Sequence, residues 1–126
     1  MPVTRQISQK MVALLVSQGK YEDAAELVSG CEDVFAMHSR MIRDTVARAQ
    51  EDQTRVLFTD LLFPVLETAK QEIREHRQWQ EEVLAKLPDG SAAAPLRAAF
   101  EDAARARAQL LDEVVATDEK YLDVQG

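Results

Sequence analysis

Apolar residues recur along this chain with the three- and four-residue spacing of amphipathic helices. The first such stretch covers about residues 4–18 and ends at Gly19, a residue suited to the left-handed conformation that closes a helix. The others cover about residues 20–53, 61–87 and 92–122. No stretch of useful length alternates apolar and polar residues as a half-buried strand does. The pattern therefore predicts one short helix and three long ones.

Two features inside this pattern indicate where the chain turns. Residues 87–95, LPDGSAAAP, form the clearest loop, since proline, aspartate and glycine supply turn chemistry and Ser91 can cap the next helix. Gly30 lies inside the second stretch, where a glycine costs about 1 kcal/mol relative to alanine. It marks either a close helix approach or a local weak point.

Short connections between long amphipathic helices favour antiparallel neighbours. We therefore predict an all-α fold, an elongated antiparallel helical bundle in which residues 1–126 form a single domain. It has three long helices plus one short N-terminal helix. On the short helix the apolar stripe consists of Ile7, Met11, Leu14 and Leu15.

Pro64 falls within the most apolar part of the sequence. If Asp60 is an N-cap, Leu61 begins a helix and Pro64 lies in its first turn, where the missing amide hydrogen costs little. The alternative is a continuous helix that bends at the proline. The apolar spacing persists across residues 56–66, which leaves both interpretations open.

Residues 56–66 hold eight large apolar side chains in eleven positions. A helix stripe buries only about three or four positions in seven, so some of them must face elsewhere. We predict that Phe58 with Phe63 or Leu61, beside Pro64, forms an exposed partner-binding patch at a bundle end or a subunit contact. The alternative is burial beneath the first helix.

Composition and charge restrict the function classes. With 46% hydrophobic and 29% charged residues the chain is globular, and its net charge of −7 repels phosphate. We therefore expect no direct nucleic-acid binding and no membrane binding. No apolar run is long enough for a membrane span or a secretory signal, which predicts a cytoplasmic protein. The single cysteine, Cys31, fits a reducing compartment because it has no internal disulfide partner.

Candidate chemical groups are few and badly spaced for catalysis. A metal site would draw on Cys31, His38 and His76 with Glu72 or Glu75, but Cys31 and His38 lie about 10 Å apart along a helix. We expect no metal and no other cofactor. Both histidines fall on apolar seams, which predicts partly buried imidazoles with a hydrogen-bonded ring nitrogen.

Nucleophilic catalysis is disfavoured as well. Glu32 and Asp33 adjoin Cys31, and neighbouring acids together with burial raise the pKa of a thiol. The chain has no glycine-rich phosphate loop. Arg107 is the one charged member of the apolar seam of the last helix. The sequence predicts a protein that is not an enzyme.

The stretch LLVSQGKYEDAAELV carries Gly19, Tyr21 and Ala24 in a spacing that resembles the helix–turn–helix of a tetratricopeptide unit. The resemblance covers about fifteen residues and occurs once, whereas repeat folds stack several units. It implies a helix–turn–helix at this position. In size, acidity and helical outline the whole chain is similar to small secretion and flagellar export chaperones, a likeness of class without a shared motif.

Two functions follow as hypotheses. The first is a non-enzymatic interaction protein, an acidic helical adaptor, chaperone or inhibitor that offers an apolar groove to a protein partner. A long three-helix seam leaves a groove incompletely covered, which favours a partner helix or a homodimer or higher oligomer. The alternative is an acidic mimic of a nucleic-acid backbone that acts as a phage-type inhibitor or regulator.

Overall fold

The computed structural model describes residues 2–52 and 58–122, and these are almost entirely helical. A π turn at Phe58–Leu62 leads into the fourth helix, and a 3₁₀ turn at Ser91–Ala93 leads into the fifth. The five α-helices are α1 (Pro2–Ser17), α2 (Tyr21–Ser29), α3 (Cys31–Asp52), α4 (Phe63–Ala85) and α5 (Ala94–Tyr121). The described residues contain no strand, so the predicted all-α class is confirmed.

The turn between α1 and α2 depends on Gly19, which has a φ of +74°. The Lys20 amide donates to the Leu15 carbonyl at 2.8 Å, and the Gly19 amide donates to the Val16 carbonyl at 3.0 Å. This pair of bonds is the Schellman arrangement, which satisfies carbonyls that would otherwise lack a partner at the helix end. The predicted end of the first helix is thereby confirmed.

The predicted helix over residues 20–53 is interrupted at Gly30, where α2 ends and α3 begins. Gly30 keeps right-handed helical angles, with φ −63° and ψ −18°. A Cβ at this position would meet only the Leu27 carbonyl oxygen, at 3.3 Å, so no other helix approaches closely. Of the two interpretations, the local weak point is the correct one, because glycine gains least from remaining helical.

Pro64 lies in the first turn of α4, as the sequence suggested, but the start of that turn differs from the prediction. Asp60 is not an N-cap; it lies within the π turn, and the residue before α4 is Leu62, with helical angles of φ −77° and ψ −40°. A proline ring collides with the carbonyl four residues earlier in a regular α-helix. The wider π turn relieves that collision. The alternative of a continuous helix would have to cross residues 53–57, which lie outside the described residues.

The cap proposed for the last helix is also wrong in detail. Ser91 begins the 3₁₀ turn, and the residue before α5 is Ala93, which makes no side-chain capping hydrogen bond. Gly90, with a φ of +109°, turns the chain out of the loop.

The long helices are arranged around α5, which contacts α2, α3 and α4. Ser39 bonds to Glu113 and Gln50 to Tyr121, so α3 and α5 run in the same direction. Trp79 contacts Phe100 and His76 contacts Arg107, so α4 is antiparallel to α5 and therefore also to α3. Helix α1 packs mainly against α2, to which the Gly19 turn makes it antiparallel, and it therefore runs in the same direction as α4.

The buried side chains form two apolar clusters. Cys31 packs against both of them. The first cluster joins α1, α2, the end of α4 and the start of α5, through Val12, Ala24, Val28, Trp79, Leu87, Ala93, Leu96, Ala99, Phe100 and Ala103. The second joins α3, the start of α4 and the end of α5, through Phe35, Ile42, Leu62, Leu66, Ala69, Ile73, Leu110 and Val114.

The two glycines beside α2 should respond oppositely to alanine. Gly19→Ala forces an L-residue into the left-handed region and should lower the free energy of unfolding by about 1 kcal/mol. Gly30→Ala should raise it by about 0.5–1 kcal/mol, because the native angles suit alanine and a shift of a few tenths of an ångström relieves the tight 3.3 Å contact with the Leu27 carbonyl oxygen. Urea unfolding measures both. A loss of stability in Gly30→Ala would contradict the helical weak-point interpretation.

Candidate functional site

A groove of about 870 Å³ runs between α1 and α4. Helix α1 contributes Ala13 and Val16 to its apolar lining, and α4 contributes Trp79 and Val83. Tyr21, the first residue of α2, also lines it. Apolar and aromatic walls of this size are typical of binding sites, so this groove is the candidate site.

The groove exists because α1 is fastened along one side only. Val12 is fully buried, and Leu15 and Val16 pack against the first cluster. Ala13, next to Val12 but turned about 100° around the helix, is exposed at the edge of the groove. The side of α1 that faces α4 therefore remains accessible.

Charged side chains stand at both ends of this groove. The α1 wall runs from Gln9 to Ser17 and the α4 wall from Trp79 to Lys86. Since the two helices run in the same direction, Lys10 lies at the end near Trp79, and Lys86 lies at the other end near Ser17. Glu82 occupies the middle of the α4 wall. The lining thus has two positive charges and one negative charge, although the protein carries a net charge of −7.

A second apolar surface of α1 is exposed. Ile7 is 51% exposed, Met11 47% and Leu14 57%, and these three residues form what we call the α1 stripe. The sequence pattern selected these three residues together with Leu15 as the apolar face of the first helix, but α1 packs through Val12 and Leu15. Apolar residues surround more than half of α1, so periodicity could not tell which side faces the bundle.

The predicted partner-binding patch is divided by the structure. Phe63 is 53% exposed and Pro64 is exposed, whereas Leu61 is half-buried. Their neighbour Leu62 is fully buried in the second cluster. Phe58 begins the π turn, and the prediction for its side chain lies outside what the structure describes. A partner-binding role for this patch stays a prediction.

A polar network lies between the two apolar clusters. Arg107 Nη1 donates to Gln80 Oε1 at 2.7 Å and lies 3.0 Å from His76 Nδ1. Arginine has no acceptor, so Nδ1 must be the acceptor, and the neutral His76 imidazole carries its proton on Nε2. The predicted hydrogen-bonded histidine is confirmed at this position, and at 2% exposed its ring is more buried than predicted.

Aromatic rings from both clusters surround His76. Phe35 lies 4.9 Å away between ring centroids, Trp79 5.6 Å and Phe100 6.4 Å. Burial lowers the pKa of Arg107, and so does the nearby Arg77. Arg107 is a charged residue on the α5 seam because its guanidinium contacts the polar side chains of His76 and Gln80 within an otherwise apolar core.

The candidate metal ligands are not assembled into a site. Within residues 2–52 and 58–122, no three His, Cys, Asp or Glu side chains are grouped so that they could hold a metal ion. One ring nitrogen of His76 faces the Arg107 cation, which a metal ion would have to displace. His38 is buried, at 6% exposed.

A smaller cavity of about 460 Å³ lies between α3 and α5. Ser39 Oγ donates to Glu113 Oε1 at 2.8 Å, and Arg43 lies 3.3 Å from Glu113 Oε2. The hydroxyl and the guanidinium both interact with the Glu113 carboxylate, so these contacts hold α3 and α5 together. Sequence reasoning missed it, because no local pattern joins residues so far apart along the chain.

Phe63 and Leu62 form a matched pair for the exposed patch. Phe63→Ala should change the free energy of unfolding by less than about 1 kcal/mol, because half of the ring is already in water. Leu62→Ala should cost about 2–5 kcal/mol, because it leaves a cavity in the second cluster. Urea unfolding of both variants tests this. Equal losses would show that Phe63 belongs to the core.

The Cys31 thiol should react slowly in the folded protein. Burial, followed by Glu72 and Glu32, raises its pKa from 9.0 to about 11, as the acidic neighbours suggested. Two pKa units reduce the thiolate fraction near pH 8 by about 100-fold. A thiol-specific disulfide reagent should therefore label the native protein about 100-fold more slowly than the urea-unfolded protein.

The same shift predicts a pH dependence of stability. The folded pKa lies above the unfolded value, so the contribution of the neutral thiol is complete below about pH 9 and is lost as the pH rises through about 11. Between roughly pH 8 and pH 10.5, the urea midpoint of unfolding should fall further in the natural protein than in Cys31→Ala. An identical fall in both proteins would contradict the raised pKa.

No helix in the described part of the chain is both long and apolar enough to cross a membrane. Comparison with protein-family models, with curated proteins and with solved structures finds no match to this chain. The function is therefore argued from the groove, the exposed apolar residues and the charges described above.

Proposed function

We propose that this protein is a non-enzymatic protein–protein interaction module, an adaptor, chaperone or inhibitor that holds an apolar segment of a partner in the groove between α1 and α4. The observation that carries the proposal is the apolar lining of a groove of about 870 Å³, with Trp79 and Tyr21 among its walls. Aromatic side chains in a groove supply large contact areas at low entropic cost.

The chemistry of the described residues agrees with a binding role. The cysteine thiol has a raised pKa, which removes the nucleophile that a thiol enzyme needs. The buried histidine of the central network accepts a hydrogen bond from an arginine instead of orienting toward a nucleophile. The groove itself presents side chains suited to contact with apolar groups.

The second candidate function is the acidic mimic, which the net charge of −7 favours. Such a protein would bind through its carboxylates, and its affinity would fall steeply with salt. The groove favours the first function, because apolar contact persists when charges are screened. We also propose a cytoplasmic location on the basis of the single, half-buried thiol.

Self-association is a further part of the proposal. Exposed apolar residues on the α1 stripe and at Phe63 could meet another copy of the chain. A stable interface, however, buries roughly 800 Å² on each partner, more than these four half-exposed side chains supply. We therefore propose that the groove binds a different protein. Any homodimer would form through a larger surface that includes the α1 stripe and Phe63.

Filling the groove should remove partner binding without unfolding the protein. Ala13→Phe places a ring in the groove from an exposed position on α1, and Ala116→Phe makes the same change at an exposed position of α5 away from it. Pull-down from the native host should recover a partner with the natural chain and with Ala116→Phe, but not with Ala13→Phe.

The salt dependence of the same complex separates the two functions. A groove complex should survive roughly 0.5 M salt, where the screening length is only a few ångströms. An acidic mimic should release its partner under that condition. A partner retained equally by all three chains, or lost in high salt, would refute the groove as the binding site. Melting temperatures of the variants check that both remain folded.

A further inference from the structure

We infer that the groove between α1 and α4 selects an amphipathic helix of about two turns with an acidic residue near each end. This inference rests on the proposed function and specifies the partner. It follows from three properties of the groove: its length, the chemistry of its lining, and the position of its charges.

The length of the groove fits a short helical segment. Its α1 wall extends from Gln9 to Ser17, about 12 Å at the helical rise, and its α4 wall from Trp79 to Lys86, about 10 Å. Two turns of an α-helix cover the same distance. A helix laid between two parallel walls presents anchors at positions i, i+3 or i+4, and i+7.

The lining indicates which side chains those anchors carry. Ala13 and Val16 on one wall face Trp79 and Val83 on the other, and all four are apolar at the surface they offer. Small side chains on α1 leave room for the occupant, and the indole of Trp79, which is only 9% exposed, contributes a small part of its surface to the lining. Leucine, methionine or phenylalanine anchors fit this combination, because their burial removes apolar surface from water on both sides.

The charges define the ends of the occupant. Lys10 stands at one end on α1, and Lys86 stands at the other end on α4, about two helical turns further along. Glu82 lies between them and opposes a negative charge at the centre. A helix with one acidic residue just before its apolar anchors and one just after them, on opposite flanks, matches this order of charges. The match is local, since the protein as a whole is acidic.

Charge complementarity also disfavours a second copy of the chain as the occupant. Two copies each carry a net charge of −7, so long-range repulsion opposes their approach. A partner with a local acidic pair on a neutral or basic protein meets no such repulsion. The lysines then contribute selectivity and association rate more than raw affinity.

Two synthetic peptides test this selection. Both are helices of 14 residues held by a hydrocarbon staple, with the same leucine anchors at i, i+4 and i+7, and without tryptophan. One carries glutamate just outside each end of the anchor segment, at i−1 and i+8, nine residues apart and on opposite flanks of the helix, and the other carries lysine at both positions. Trp79 is the only tryptophan of the chain and lines the groove, so its fluorescence reports docking directly.

The natural protein should bind the glutamate peptide about tenfold more tightly than the lysine peptide, the size expected for two exposed ion pairs. Lys10→Glu with Lys86→Glu should abolish or reverse this preference. Arg48→Glu with Lys120→Glu, which changes the net charge equally at exposed positions outside the groove, should leave it intact. Ala13→Phe should prevent both peptides from docking.

The outcomes separate this inference from the proposed function. Equal binding of both peptides, still blocked by Ala13→Phe, would overturn the acidic selection and leave the groove as a binding site. The same loss in the Arg48 and Lys120 control would assign the effect to overall charge and also overturn it. Binding of neither peptide, together with a pull-down that Ala13→Phe does not affect, would overturn both. A homodimer in light scattering that Ala13→Phe dissociates would identify a second copy as the occupant.

Discussion

The apolar seam of α5 is the constraint on which the rest of the structure depends. Leu96, Phe100 and Val114 have no exposed surface, and their partners come from α2, α3 and α4. Each fully buried side chain of this size contributes about 1.5–3 kcal/mol to the free energy of unfolding, so the packing of three helices against this face of α5 is strongly favourable. Once they are packed, α1 finds its main contact on α2. The groove beside α4 is a consequence of that arrangement.

A polar interruption in this seam gives the bundle its register. Arg107 reaches both His76 and Gln80 from α5, at the level where the two apolar clusters meet. A shift of α4 by one turn would exchange one leucine or alanine for another elsewhere along the seam, but here it would leave a cation without its acceptors. Arg107 is only half-buried, so the cost of such a shift is the loss of its hydrogen bonds, about 1.5–3 kcal/mol for each bond to a charged group. The network therefore opposes alternative alignments of α4 and α5.

The charge distribution gives the groove a character different from that of the molecule. The net charge of −7 produces long-range repulsion between copies. Lys10 and Lys86 line the groove, and both are exposed. The groove therefore combines apolar side chains with two positive charges on an otherwise acidic molecule. Neither property is visible from the net charge alone.

The sequence by itself determined the helices and most of their limits. Gly19 and the loop before α5 ended helices where the pattern placed them, because both depend on interactions within a few residues. The raised pKa of the Cys31 thiol is only partly local, because burial is its largest cause, Glu72 on α4 the next, and the adjacent Glu32 the third. Periodicity also identified His76 and Arg107 as unusual members of apolar seams.

Only the tertiary structure decided which apolar faces are covered. The sequence selected Ile7, Met11, Leu14 and Leu15 on α1, yet only Leu15 of these packs against the first cluster, beside the fully buried Val12, whereas the other three are exposed. Asp60 failed as a cap because the π turn before Pro64 continues the helical path. The groove was beyond any pattern in the chain, since its walls come from residues about 70 positions apart. Local spacing determines which residues share a helix face. Whether that face is buried depends on which neighbouring helix the tertiary structure packs against it.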